Sequence, residues 1–246
     1  MGEIGFSSGV DLRSAGADGR KAYKTAIESI YATLREQIVS GALKPDERLR
    51  IDGLRQTFGV SASTVREALT RLASETLVVS ESQRGFRVSS LSLADFREVA
   101  HLRALLEGHA VRFSIETGDD EWEASVVAAY HKLSKVEEQM KAGPDQHARQ
   151  WEARNSDFHH ALIAGWDGKW LLYFRNMLLS QSSRYLRFAV TTTAAKRDVH
   201  AEHKAIFNAV LDRNADLAAE LLKHHILSTV DYMADILEET PSGGGR

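Results

Sequence analysis

Apolar residues recur at helical spacing from Thr25 onward. Ile27, Ile30, Tyr31, Leu34 and Ile38 stand at i, i+3, i+4, i+7 and i+11, one stripe on a helix that Gly41 stops. Lys44-Pro45-Asp46 carries a turn signature. A short helix follows around Asp52–Phe58, with Ile51, Leu54 and Phe58 facing inward, and Gly59 breaks it. Ser61 is placed to cap a second helix that runs to Glu75 on an apolar stripe of Val65, Leu69 and Leu72. Leu77–Ser80 and Gly85–Val88 then read as strands, with Glu81-Ser82-Gln83-Arg84-Gly85 as a hairpin tip.

Beyond the link Ser89–Ser92 the pattern is wholly helical. Ser92 caps a helix reaching Thr117, closed by Gly118. Five more are expected: Asp119–Lys141, Asp145–Ala164, Trp170–Ala189, Ala194–Arg213 and Asp216–Glu239, with Gly143-Pro144 and Gly165 among the breaks. The fold class is therefore mainly α: a winged helix-turn-helix followed by an antiparallel all-helical bundle. The organisation expected is a flexible tail at 1–20, a first domain at 21–90, a helical second domain at 91–240, and a frayed tail at 241–246.

Composition narrows the classes. The chain has 246 residues, 43% hydrophobic, which excludes a wholly disordered polypeptide and leaves room for two ordinary domains. No apolar run approaches the roughly 18 residues of a membrane span, and the first twenty residues lack a signal-peptide core, so a cytoplasmic protein with no membrane partner is expected. With no cysteines, disulfides and thiolate metal sites are excluded. Charge is split: residues 21–90 hold 11 Lys/Arg against 8 Asp/Glu, residues 91–246 hold 18 against 23, and all ten histidines lie at or beyond His101. A basic front and an acidic, histidine-bearing rear suit two domains with different partners.

The front can read double-stranded DNA. The second helix of a helix-turn-helix pair enters the major groove. Its leading turn offers Ser61, Ser63 and Thr64 as hydroxyl donors to phosphates, and Arg66 for a guanine or a phosphate. Arg84 and Gly85 at the hairpin tip can approach a minor groove, and Arg50 is a further cation. Phe58-Gly59-Val60-Ser61-Ala62-Ser63-Thr64-Val65-Arg66-Glu67-Ala68-Leu69-Thr70-Arg71-Leu72, with the wing Gln83-Arg84-Gly85-Phe86-Arg87-Val88, resembles the recognition signature of GntR-family bacterial transcription regulators. Three positions depart from that family. Asp52 and Ala62 stand where basic residues are common, and Thr76 stands where a Gly usually precedes the wing. Fewer cationic contacts predict a shallower salt dependence of DNA binding.

In the rear, Asn155 and His159 lie four apart on one helix face, with His203 and His225 on two later helices. Three imidazoles and an amide oxygen from antiparallel helices can converge inside a bundle. Such donors suit a divalent transition metal: zinc, nickel, iron or manganese. His160 and His224 point roughly 100° from their neighbours and cannot share that site. The segment from Ser92 to Glu239 resembles the FCD domain of the FadR subfamily, and these four residues match the positions of its metal-bearing branch. The resemblance implies a small carboxylate effector beside the metal, held by Arg103, with Arg184 and Arg187 as further candidates. The other reading of Arg103 is an i, i+4 pair with Glu107, itself read as a supporting residue. Leu49–Ile51, Ser74–Leu77 and the wing loosely resemble the CsiR-type branch, which responds to dicarboxylates.

The function expected is a homodimeric regulator, most simply a repressor, on a palindromic operator. Two alternatives stay open. One is a regulator whose signal is the metal itself. The other is a metal-dependent enzyme, disfavoured because no carboxylate stands at a spacing that argues for a general base.

Overall fold

The computed structural model describes residues 19–81, 85–140, 144–190 and 197–239. The tails expected at 1–20 and 241–246, apart from Gly19 and Arg20, lie outside the described residues, as do Arg84 and the side chain of Arg187. The chain divides into two compact units between Ser89 and Ser90.

The first unit opens with α1 (Gly19–Val39), whose Ile27, Ile30, Leu34 and Ile38 are buried along the expected stripe. The short α2 (Ile51–Phe58) ends on Gly59, in the left-handed region at φ 64°, a conformation glycine adopts without a Cβ penalty. Ile51, Leu54 and Phe58 are only half-buried. In α3 (Ala62–Ser74) the Ser61 Oγ caps the helix by accepting from the Thr64 N–H, and Val65, Leu69 and Leu72 are fully buried. The wing strands β2 (Val78–Glu81) and β3 (Gly85–Val88) pair antiparallel, Val78 opposite Val88. One element is unforeseen: β1 (Arg48–Leu49) pairs with β3, giving the order β1-β3-β2. Two residues display no alternation, so only tertiary pairing defines that strand.

The second unit is all helical: α4 (Leu93–Thr117), α5 (Asp120–Met140), α6 (Pro144–Leu162), α7 (Lys169–Val190), α8 (Val199–Leu211) and α9 (Ala215–Glu239). Ser92 caps α4 by accepting from the Asp95 N–H. Helix α4 packs on α7 and α9, α5 on α6 and α8, and α8 on α9. The core between them is built on Phe96, Val111, Leu133, Phe158, Leu162 and Ile206. The start expected at Ala194 for α8 is corrected to Val199: Asp198 caps it by accepting from the Ala201 N–H. Arg197 thus precedes the helix and bonds to groups on α8 and α9. Among the described residues, no helix is long and apolar enough to cross a membrane.

Candidate metal centre

Three buried imidazoles meet inside the second unit. His159 comes from α6, His203 from α8 and His225 from α9, and one nitrogen of each lies within 4.8 Å of the others. His160 and His224, one residue away from two of them, are exposed, as helical rotation requires.

Each ring presents its Nδ1 edge to a carboxylate. His203 Nδ1 is 2.6 Å from Glu137 Oε1 on α5. His225 Nδ1 is 2.7 Å from Glu202 Oε2 on α8. His159 Nδ1 is 3.5 Å from Glu107 Oε2 on α4, too long for a formed hydrogen bond, so both atoms stay without one among the described residues. A carboxylate on Nδ1 fixes the proton there and turns the Nε2 lone pair inward. His159 Nε2 and His225 Nε2 are 3.2 Å apart, and His203 Nε2 is buried with no hydrogen-bond partner among the described residues. Lone pairs that face each other repel, and a cation between them converts repulsion into ligation. Nitrogens bound at about 2.0–2.1 Å to one ion lie roughly 3.0–3.4 Å apart, which is the spacing His159 and His225 already have. The residues therefore fit a metal ion.

Charge around the rings supports the same chemistry. Burial pushes His159 down to about 4 and His225 well below the usual imidazole range, so both stay neutral and ligand-competent. Glu107 is fully buried, which alone would raise its pKa. The Arg103 guanidinium, His159 and Arg175 outweigh burial and hold it far below the carboxylate range. Burial likewise opposes ionisation of Glu202, but the His225 hydrogen bond and Arg197 bring it down to about 2. Glu137 is lowered by His203 and His200 against its own burial.

Asn155 lies one turn before His159, and its Oδ1 is buried without a hydrogen bond among the described residues. Arg103 makes the i, i+4 pair, its Nε donating to Glu107 Oε1 at 3.0 Å in a fully buried setting. Arg184 is buried and donates to Gln181 Oε1 at 3.0 Å. Sequence reasoning missed Glu137, Glu202, Arg175 and Arg197. Arg175 is 2% exposed, 3.3 Å from Glu107, with its Nη2 unpartnered among the described residues.

In the first unit, Arg48, Arg50, Arg66 and Gly85 line one concavity of about 370 Å³ with Leu49, Ile51, Asp52, Ala62 and Phe86. Ser61, Ser63 and Arg66 are exposed. Thr64 is a correction: it is 3% exposed and its Oγ1 lies 2.7 Å from Ser61 Oγ, so it braces the cap instead of facing outward. Arg55 pairs with Asp52 at 3.6 Å.

Comparison with known proteins agrees with both units. Residues 26–88 match the model of bacterial regulatory proteins, gntR family, and residues 98–228 match the FCD domain. The HTH-type transcriptional regulator BphR of Paraburkholderia xenovorans is 41% identical over 210 residues, 85% of this chain and 86% of that protein. The HTH-type transcriptional repressor GlaR of Escherichia coli is 34% identical over 204 residues, 81% of this chain and 92% of that protein. The solved structure of E. coli McbR/YncC superposes with a TM-score of 0.70 at 21% identity, covering 85% of this chain and 97% of that one, a likeness of fold. These relatives are regulators and not enzymes, and the chain belongs with them: it is a DNA-binding transcription regulator of the GntR family, in the FadR-like subfamily that carries an FCD domain.

Proposed function

We propose that the protein is a homodimeric repressor on a palindromic operator, and that a small organic acid bound beside a divalent metal in the second unit alters its grip on DNA. The observation that carries this reading is the set of inward Nε2 atoms, each backed by a carboxylate on its Nδ1 side. His159, His203 and His225 hold the ion, with the Asn155 Oδ1 as fourth ligand. When bound, the ion supplies a Lewis-acidic position that accepts a carboxylate oxygen. Arg103 and Arg184 supply guanidinium donors for the same acid. The CsiR-like stretches favour a dicarboxylate. The repressor sign follows the relative named a repressor.

An effector changes DNA affinity only through unequal affinity for the two placements of the reading heads. Ser61, Ser63, Arg66 and Arg50 supply phosphate and base contacts, with Gly85 and Arg84 at the wing. The test is titration of dicarboxylates into a complex of the metal-loaded protein with DNA selected from a random pool. Release by an organic acid supports the reading. If no acid alters affinity while removal of the metal does, the metal is itself the signal.

A further inference from the structure

We propose that Arg175 on α7 selects the charge of the effector: it holds the far carboxylate of a dicarboxylate whose near carboxylate meets the metal. This rests on the acid-binding reading above and names the residues that set the acid's valence.

Arg175 has donors that its surroundings do not use. Helix α7 packs on α4, and the Arg175 side chain, 2% exposed, reaches Glu107 there. Its Nε is 3.3 Å from Glu107 Oε1 but misaligned for a hydrogen bond, and Nε and Nη2 have no hydrogen-bond partner among the described residues. Nη1 donates to the neighbouring Asn176 Oδ1 at 3.3 Å. Glu107 Oε1 is already taken, because Arg103 places both Nε and Nη2 3.0 Å from it. A guanidinium has five N–H donors and no acceptor, and donors left unmet out of water are costly. Nε and Nη2 form one edge of the group, and a carboxylate matches such an edge bidentately.

That edge stands beside the metal centre. Glu107 joins the two: its Oε1 faces Arg175, and its Oε2 is 3.5 Å from Nδ1 of the ligand ring His159.

Charge gives the valence of the acid. Among the described residues, Glu107, Glu137 and Glu202 back the three rings. Arg103, Arg175 and Arg197 contact those carboxylates, so the buried charges of the chain cancel. The ligands are imidazoles and the Asn155 amide, all neutral donors. A divalent ion therefore brings two positive charges that these groups do not offset. A dianion cancels both and a monoanion one, and uncompensated charge is heavily penalised in a buried site.

The test titrates straight-chain dicarboxylates, malonate to adipate, into zinc-loaded full-length protein by calorimetry. Each is set against its half-amide, which has the same shape and one charge fewer. The best dicarboxylate should bind about 10–100-fold more tightly than its half-amide, the worth of one charge-assisted hydrogen-bonded pair. Arg175→Gln should bring the two toward parity, with zinc still retained in chelator competition, and Arg175→Lys should keep part of the preference. Asn155→Asp, which adds a negative charge beside the ion, should narrow it too. If no acid binds the zinc-loaded wild type, the acid-binding reading and this proposal fail together. If acids bind but wild type does not distinguish dicarboxylate from half-amide, or Arg175→Gln keeps the full preference, this proposal alone is wrong. Should Arg175→Gln fail to fold, the wild-type comparison and Asn155→Asp decide: an unchanged preference in the latter overturns the charge argument.

Discussion

Glu137 Oε1 lies 2.6 Å from His203 Nδ1, on a helix 66 residues away, and fixes which nitrogen of that ring faces the centre. The second oxygen of the same carboxylate is 2.7 Å from His200 Nδ1, so one acid orients two imidazoles. Partners of this kind contribute about 10–100-fold to metal affinity. Glu137→Ala is therefore expected to weaken metal binding by that factor, and Glu137→Gln by about the lower figure, since its amide oxygen still accepts from Nδ1. Competition against a chelator of known affinity measures both. Unchanged affinity in both variants would remove the carboxylate from the site.

Arg197 acts one layer further out. It bonds to Glu202 and the His225 carbonyl and donates to Thr229 Oγ1 at 2.9 Å, so it holds the carboxylate that orients His225. Arg197→Ala should weaken metal affinity several-fold with little change in the melting of metal-free protein. Arg197→Lys should restore part of it. Equal losses in the two variants would contradict an orienting role.

Metal-free protein should lose stability on acidification in a defined window. His159 is held near 4 and His225 well below the usual value, so below pH 6.5 the unfolded chain takes up protons that the folded chain refuses. That loss runs from about pH 6.5 down to about 4, at up to ~1.4 kcal/mol per pH unit for each histidine. The depressed carboxylates act later: what Glu202 contributes is present above pH 4.5 and is lost as pH falls through about 2. Melting curves of stripped protein between pH 8 and pH 5 should show the decline beginning in the upper window. A flat profile there would mean that the rings are not buried neutral.

The outline of this architecture is legible in the chain because it is written in local periodicity. Ile30, Leu34, Leu69 and Leu72 fall on 3.6-residue stripes, and Ser61 and Ser92 cap where capping residues belong. Of the histidine set, spacing alone puts only Asn155 and His159 on one face, and His203 and His225 join them through the resemblance to the FCD domain. Glu137, Glu202, Arg175 and Arg197 could not be read, since tertiary packing brings them to the rings and no fixed offset announces it. Arg103 shows the limit in the other direction: its i, i+4 partner is local and readable, but the burial that makes the pair part of the centre is not. The two-residue β1 is invisible for the same reason, because pairing with Phe86 and Arg87 creates it.

Thr76 occupies a left-handed backbone position at φ 57° where the family commonly has glycine. A β-branched residue is unfavourable there by roughly 1–2 kcal/mol, partly offset by the greater entropy a glycine loses on folding. The local backbone bonds, Thr76 N–H to the Ala73 carbonyl at 3.0 Å and Ser89 Oγ to the Thr76 carbonyl at 2.6 Å, survive substitution. Thr76→Gly should thus stabilise the first unit by about 1 kcal/mol. Urea unfolding gives the sign, and a lower midpoint would show that the threonine side chain contributes more than its strain costs.

DNA binding offers the sharpest test of the first unit. Arg66 is exposed near the start of α3 and shares a concavity with Arg48 and Arg50, while Arg55 is engaged with Asp52 and Ala62 brings no charge. On DNA selected from a random pool, Arg66→Ala should cost about 1–3 kcal/mol if the guanidinium reads a base, with specificity relaxed at that position. If it meets only a phosphate, the loss should be uniform across sequences and the salt slope should fall by about one. Arg48→Ala separates the neighbour's share. With few free cations on this face, the wild-type slope of log K against log salt should be much shallower than about −10, the value of a regulator that neutralises ten or so phosphates. A slope that steep would mean that cations beyond the described face engage the duplex, and the interface would then have to be redrawn around them.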